Sequence, residues 1–134
     1  MIHELVLGKD KEYMNLATEQ RILEALHNWE NLQLYLNPKC SISTVSKEVG
    51  CNFKYLSHVI NKKKGLDFPN YINQLRLSYL ENYIRTVEEA RNFKLTYLAV
   101  LAGFSSYGKF AKFIKDKTGY NPKQFMVFFD IKTA

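Results

Sequence analysis

Apolar residues recur along this chain every three or four positions, and glycine, proline and asparagine punctuate the polar gaps between them. That period puts the apolar side chains on one face of a helix. From Thr18, a candidate N-cap, Ile22, Leu26 and Trp29 mark a first amphipathic helix expected to end before Asn37. A short helix is predicted in "STVSKEV", stopped by Gly50. Asn52 then caps a helix with Tyr55, Leu56, Val59 and Ile60 turned inward, and Gly65 ends it just after Lys62, Lys63 and Lys64, where positive charge suits the helix dipole. A long helix follows, capped by Asp67 with Pro69 in its first turn. Its inner side carries Ile72, Leu75, Tyr79, Leu80, Tyr83 and Ile84, and Glu81 and Arg85 form an i,i+4 pair outside.

Beyond the polar joint "EEARNFK", the segment "LTYLAVLA" predicts a short buried helix stopped by Gly103. Ser105 or Ser106 caps the next helix, whose apolar positions are Phe110, Phe113 and Ile114. Asn121 and Pro122 start a last helix ending near Phe129, and strand-like alternation is confined to "IHELVL" at the start. The fold class is therefore all-α, with about seven helices.

The pattern repeats. Ile42, Val45, Ser46, Val49, Gly50 and Asn52 correspond, at an offset of 53, to Leu95, Leu98, Ala99, Ala102, Gly103 and Ser105. From Leu56 the offset is 54, pairing Leu56, Ile60, Gly65 and Tyr71 with Phe110, Ile114, Gly119 and Phe125, so the second turn is one residue longer. Each copy is a short helix, a tight glycine turn and a second helix that is apolar on one side and basic on the other. That is the layout of a helix-turn-helix, with small Ser46 and Ala99 where the helices approach. In the sequence-derived arrangement, the long helix joins the two copies rigidly and two recognition helices enter successive major grooves about 34 Å apart.

Charge agrees with this layout. The net charge is +6, but residues 1–36 carry −3 (Lys9, Lys11 and Arg21 against Glu4, Asp10, Glu12, Glu19, Glu24 and Glu30), leaving +9 for the rest. The basic part suits a polyanion and the acidic leading segment does not. Cys40 and Cys51 form no CxxC and have no histidine cluster beside them, so free thiols are expected and neither a zinc nor a redox site. No apolar run approaches the length of a bilayer span, and the start lacks a cleavable signal pattern, which points to a cytoplasmic protein with no membrane segment in this chain. No Gly-rich phosphate loop, HExxH or nucleophile set with histidine and carboxylate is present, so no enzyme is expected.

At "GFSSYGKFAKFIKDKTGYNPKQF" the chain resembles the AraC/XylS-type transcription regulators, whose second helix-turn-helix ends in a Gly-x-x-Pro-x-x-aromatic closure. "NFKYLSHVINKKKGLDFPNYINQLRL" is similar to that family's first unit and linker helix, including Arg76, and the resemblance spans about Glu19 to Met126. "YLSHVIN" and "YINQLR" look closest to a Bacteroidetes subgroup in which the domain often ends a longer protein. The resemblance implies a homeodomain-like DNA-binding domain over residues 18–130 behind an N-terminal extension at 1–17. Its first helix-turn-helix falls near 43–63, the linker helix near 69–87 and the second helix-turn-helix near 95–118.

Carried across by position, the resemblance implies groove-facing Lys54, Ser57 and His58 in the first unit. In the second it implies Tyr107, Gly108, Lys109, Ala111 and Lys112. Lys62 is either a phosphate contact or part of a solvated helix end, and His58 donates to a base or to phosphate. Tyr107 packs on a base methyl group or sugar, or covers the turn. Gly108 either permits close approach of the DNA backbone or has no such role. Arginine is absent from both recognition helices. The implied partner is double-stranded DNA, with RNA polymerase as a second; the implied setting is the bacterial nucleoid, with no cofactor and a monomeric isolated domain. The competing readings are a helical protein–protein adaptor with a degenerate helix-turn-helix, and a nonspecific nucleic-acid binder.

Overall fold

The computed structural model describes residues 14–133, so the strand-like "IHELVL" and most of the expected extension lie outside the described residues. Within them the chain forms seven α-helices and no strand. It divides into two compact units, residues 14–34 with 40–68 and residues 35–39 with 69–133.

In the first unit α1 (Leu16–Asn31) is capped by Asn15, whose side chain accepts from the Thr18 amide at 2.8 Å. Thr18 is thus the capped residue and not the cap. The helix ends at Asn31, short of Asn37, because Gln33 adopts a left-handed φ of 57° and turns the chain into a 3₁₀ segment, Leu34–Leu36. α2 (Ile42–Val49) opens on a reciprocal capping box. The Thr44 amide donates to Ser41 Oγ at 3.2 Å and the Ser41 amide to Thr44 Oγ1 at 3.0 Å. α3 (Phe53–Lys64) is capped by Asn52, which accepts from the Lys54 amide at 2.7 Å, and it ends at Gly65 as expected. Ile22, Leu26, Trp29, Val45, Val49, Leu56, Val59 and Ile60 are buried, and the Trp29 indole N–H donates to Glu48 at 2.9 Å, joining α1 to α2.

The second unit holds α4 (Phe68–Thr86) from Pro69 onward, a 3₁₀ segment (Glu88–Asn92), α5 (Leu95–Leu101), α6 (Tyr107–Thr118) and α7 (Pro122–Thr133), the last running past the expected end at Phe129. Its core gathers Leu77, Leu80 and Ile84 of α4 with Leu98 and Ala99 of α5, Phe110 and Ile114 of α6, and Phe125 and Phe129 of α7. The buried row of α4 differs from the apolar stripe drawn on sequence. Arg76 and Leu77 are buried, whereas Leu75, Tyr79 and Tyr83 are only half-buried. The guanidinium accounts for this. Its Nε donates to the Tyr35 carbonyl at 2.9 Å, Nη2 to the Asn37 carbonyl at 3.0 Å and Nη1 to Asn73 Oδ1 at 3.4 Å, and it lies 5.7 Å from the centre of the Phe104 ring. Of the expected outer pair, Arg85 also lies over the Phe129 ring at 5.3 Å and pulls on the Glu81 carboxyl, whose burial nonetheless raises it above its ordinary value.

The repeat is visible in the two turns, although the Gly50 amide donates to the Ser46 carbonyl at 2.8 Å and the Gly103 amide to the Val100 carbonyl at 2.9 Å. Gly50 and Gly103 take φ values of 82° and 94°, and the next amide, Cys51 or Phe104, donates to the carbonyl of Ser46 or Ala99 at 2.9 and 3.0 Å. Gly65 and Gly119 close the second helices at φ 70° and 81°, donating to Asn61 and Lys115. The cap of α6 is Ser106, whose hydroxyl accepts from the Lys109 amide at 3.1 Å. Asn52 therefore pairs with Ser106 and not Ser105, and the extra residue of the second turn lies between Gly103 and the cap.

Gly103 is more constrained than its counterpart. A Cβ there would stand 2.8 Å from Leu36 Cα, while at Gly50 nothing lies within 4 Å. Gly103→Ala is expected to cost about 2–4 kcal/mol, from left-handed strain plus a collision with backbone. Gly50→Ala is expected to cost only about 1–2 kcal/mol of strain. Urea unfolding midpoints of the two variants check the difference; equal losses would contradict it.

Candidate nucleic-acid interface

Each unit presents the outer side of its second helix, and the same chain logic builds both. An extended cap residue turns the chain into the helix, a buried pair at i and i+4 (Leu56 and Ile60, or Phe110 and Ile114) clamps one side, and the opposite side is left to solvent.

On α3 Lys54 is exposed at the first turn, and Ser57 and His58 are half-buried one turn on. Their stripe continues to Asn61, whose amide donates to the Ser57 carbonyl at 3.0 Å. Phe53, at the very start of α3, is 52% exposed, and its counterpart at an offset of 54 is Tyr107, 38% exposed. Sequence reasoning passed over Phe53 and Asn61. The repeat offset could have found the first, because it pairs Phe53 with a residue already on the candidate surface. The seven-residue return from Lys54 could have found the second.

Lys62 sits elsewhere. Its ammonium contacts Glu19 of α1 at 3.0 Å, Lys63 contacts the other oxygen of the same carboxylate at 3.1 Å, and Lys64 reaches Glu30 at 3.6 Å. These lysines fasten the end of α3 to α1, so part of the −3 of the leading segment is spent inside the fold on lysines counted above toward the +9. Glu19 is buried, and the hydrogen bond from Lys62, helped by Lys63, holds its carboxyl below the ordinary value although burial alone would raise it.

On α6 Tyr107, Gly108, Lys109 and Lys112 are exposed and Ala111 is half-buried. Tyr107 also leans on Phe110, with ring centres 6.0 Å apart. Lys112 contacts Asp116 of its own helix at 2.9 Å, which raises the Lys112 pKa, and both side chains are largely solvated. Lys115 turns to the end of the helix, donating to the Gly119 carbonyl at 3.1 Å. Lys109, Lys112 and Asp116 share one flank of α6, facing Asn70 and Asn73 of α4 across a groove. Among the described residues no group of His, Cys, Asp or Glu is placed to hold a metal ion, and Cys40 and Cys51 are in no disulfide. No helix among them is long and apolar enough to cross a membrane.

Two helix-turn-helix units, each with a second helix whose outer face carries one leading aromatic, Phe53 or Tyr107, have structural parallels. The C-terminal domain of the response regulator AraT from Geobacillus stearothermophilus superposes with a TM-score of 0.66 at 16% identity, covering 81% of this chain and 84% of that one. The C-terminal domain of the two-component response regulator yesN from Fusobacterium nucleatum gives 0.64 at 24% identity, covering 77% and 95%. The fold is that of the AraC-type C-terminal domain. Among curated proteins, uncharacterized HTH-type transcriptional regulators of Staphylococcus aureus, including that of strain MSSA476, are 28% identical over 94 residues, 70% of this chain. The chain spans 12% of the length of these relatives. No family model matches the sequence. The solved neighbours are named as parts of response regulators and the curated relatives as transcriptional regulators.

Two outcomes follow from the local geometry. Gly108 is helical with a normal φ, and a Cβ there meets only Ser106 Oγ at 3.9 Å. Gly108→Ala is therefore expected to stabilise the fold by up to about 1 kcal/mol, read as a higher thermal midpoint; a lower midpoint would contradict the open surface. Glu19→Gln is expected to destabilise at neutral pH by about 1–3 kcal/mol through loss of two charge-assisted hydrogen bonds. Because the folded carboxyl is held low, that stabilisation is full at neutral pH and is lost as pH falls through the folded value. Unfolding curves of the variant and the native chain should thus converge in acid, and a gap that persists there would contradict it.

Proposed function

We propose that this chain is the double-stranded-DNA-binding domain of a transcription regulator, reading sequence with one recognition helix from each unit. The observation that carries the proposal is the duplicated turn. A left-handed glycine, an amide-to-carbonyl bond from the residue after it and a side-chain cap, Asn52 or Ser106, set the start of α3 and of α6, and both helices leave an outer face in solvent. An isolated basic helix has many uses; a helix held in this way at both copies suits insertion into a major groove. The AraC-type fold and the names of the Staphylococcus relatives support the same reading.

Roles divide by chemistry. Lys54, Lys109 and Lys112 supply charge against phosphate. Ser57, His58 and Asn61 of the first unit carry most of the hydrogen-bonding groups for base edges. The second helix offers Tyr107, Gly108 and Ala111, which suit close approach and contact with thymine methyl groups more than bidentate hydrogen bonding. Sequence preference is accordingly stronger for the block read by the first unit. Lys62 is engaged with Glu19 and acts in the fold.

Selection of bound duplexes from a random pool at stated salt tests this. The expected result is a site with two blocks, and Lys54→Ala or Lys109→Ala weakening binding to all sequences while lowering the slope of log K against log salt by about 0.9. Binding without preference would favour the nonspecific nucleic-acid reading. No binding to any duplex would favour the adaptor and overturn the proposal.

A further inference from the structure

The recognition helix of the second unit does not stand alone. Its Lys109 and Lys112 share a groove of about 260 Å³ with Asn70 and Asn73 of α4, floored by Phe104, Phe113 and the buried Arg76. Along α6 the lining positions are 109, 112, 113 and 116, one flank of the helix, while Gly108 and Ala111 lie on the adjoining outer stripe. A helix lying in a major groove has bases before its outer stripe and a phosphodiester strand along each flank. Here one of those flanks is lined, and part of the lining comes from α4.

We propose that this groove seats a phosphodiester of the bound duplex, with Asn70 and Asn73 of α4 as DNA contacts beyond the two recognition helices. The inference rests on the DNA-binding reading. The chemistry of the lining fits a singly charged, oxygen-rich group. Lys109, Lys112 and Arg76 outnumber the one carboxylate, Asp116, which already contacts Lys112. Carboxamides donate N–H bonds to phosphate oxygens without adding charge. Phe104 and Phe113 add apolar surface to the lining, which lowers the local dielectric and strengthens the ionic attraction. Asn73 is also oriented: its Oδ1 accepts from Arg76 at 3.4 Å, which directs its amide nitrogen away from the guanidinium. Lys112 is thereby assigned to phosphate and not to a base.

Asn73→Asp and Asn70→Asp test this, since each puts a negative charge in the groove, and the first keeps the acceptor that Arg76 uses. Thermal unfolding establishes that each variant folds as the native chain does. The expected result is binding weakened about tenfold for every duplex alike, with the sequence preference from random selection unchanged. Replacing the phosphates one at a time by neutral methylphosphonate should then identify one linkage at which the Asn73→Asp penalty disappears. Native-like affinity of both variants, or a penalty that survives at every substituted linkage, would overturn the proposal. So would inorganic phosphate raising the thermal midpoint of the native chain and not of Asn73→Asp while duplex affinity stays the same, which would make the groove a seat for a free anion. A native chain that binds no duplex removes the DNA-binding reading itself, whereas native binding with unaffected asparagine variants removes only this one.

Discussion

A buried guanidinium organises the second unit. Arg76 is 7% exposed and donates to the carbonyls of Tyr35 and Asn37, so residues 35–39 belong to that unit although they lie far from it in sequence. The segment it fixes brings the Leu36 backbone against Gly103, where there is no room for a Cβ. Gly103 in turn sets the step from α5 to α6. Phe104, the next residue, lies beneath the same guanidinium and packs on Phe110 at 5.2 Å. A charge buried in this way is costly unless its donors are met. Meeting them with main-chain carbonyls makes the position of one loop, one turn and the start of α6 depend on a single side chain.

The first unit reaches the same end with ion pairs, two of them on the buried Glu19 carboxylate. Its turn has open space around Gly50, and its second helix is fastened at the far end by three lysines on two glutamates of α1. The two copies share a turn but not a means of support. One is held ahead of its second helix, where Arg76 fixes the 35–37 segment and covers Phe104, and the other by ion pairs at the end of its second helix. Lysines that look like a contact surface in the sequence are thus partly structural, and the charge available to a polyanion is smaller than the total suggests.

What could be read from the sequence was local. Gly50, Gly65, Gly103 and Asn52 gave their helix ends correctly because a left-handed glycine and a capping side chain act on the few residues beside them. The change of repeat offset is also legible, but Ser106, which accepts the Lys109 amide, and not Ser105 is the partner of Asn52. Pairings between distant segments were not legible. Nothing beside Glu19 announces Lys62, and nothing beside Arg76 announces the Tyr35 carbonyl. An arginine inside an apolar row reads as a solvent-facing residue, which is why the buried row of α4 was drawn through Leu75 and Tyr79. Thr18 was misread as a cap because Asn15, three residues earlier, precedes any apolar period that would mark a start.

The account is tested most directly by following backbone amide resonances while a selected duplex is added to the labelled chain. Shifts are predicted to concentrate at Phe53 to His58, at Tyr107 to Lys112 and at Asn70 to Asn73, leaving the outer face of α1 unmoved. Shifts confined to α1, or spread over one helix-turn-helix and absent from the other, would contradict it.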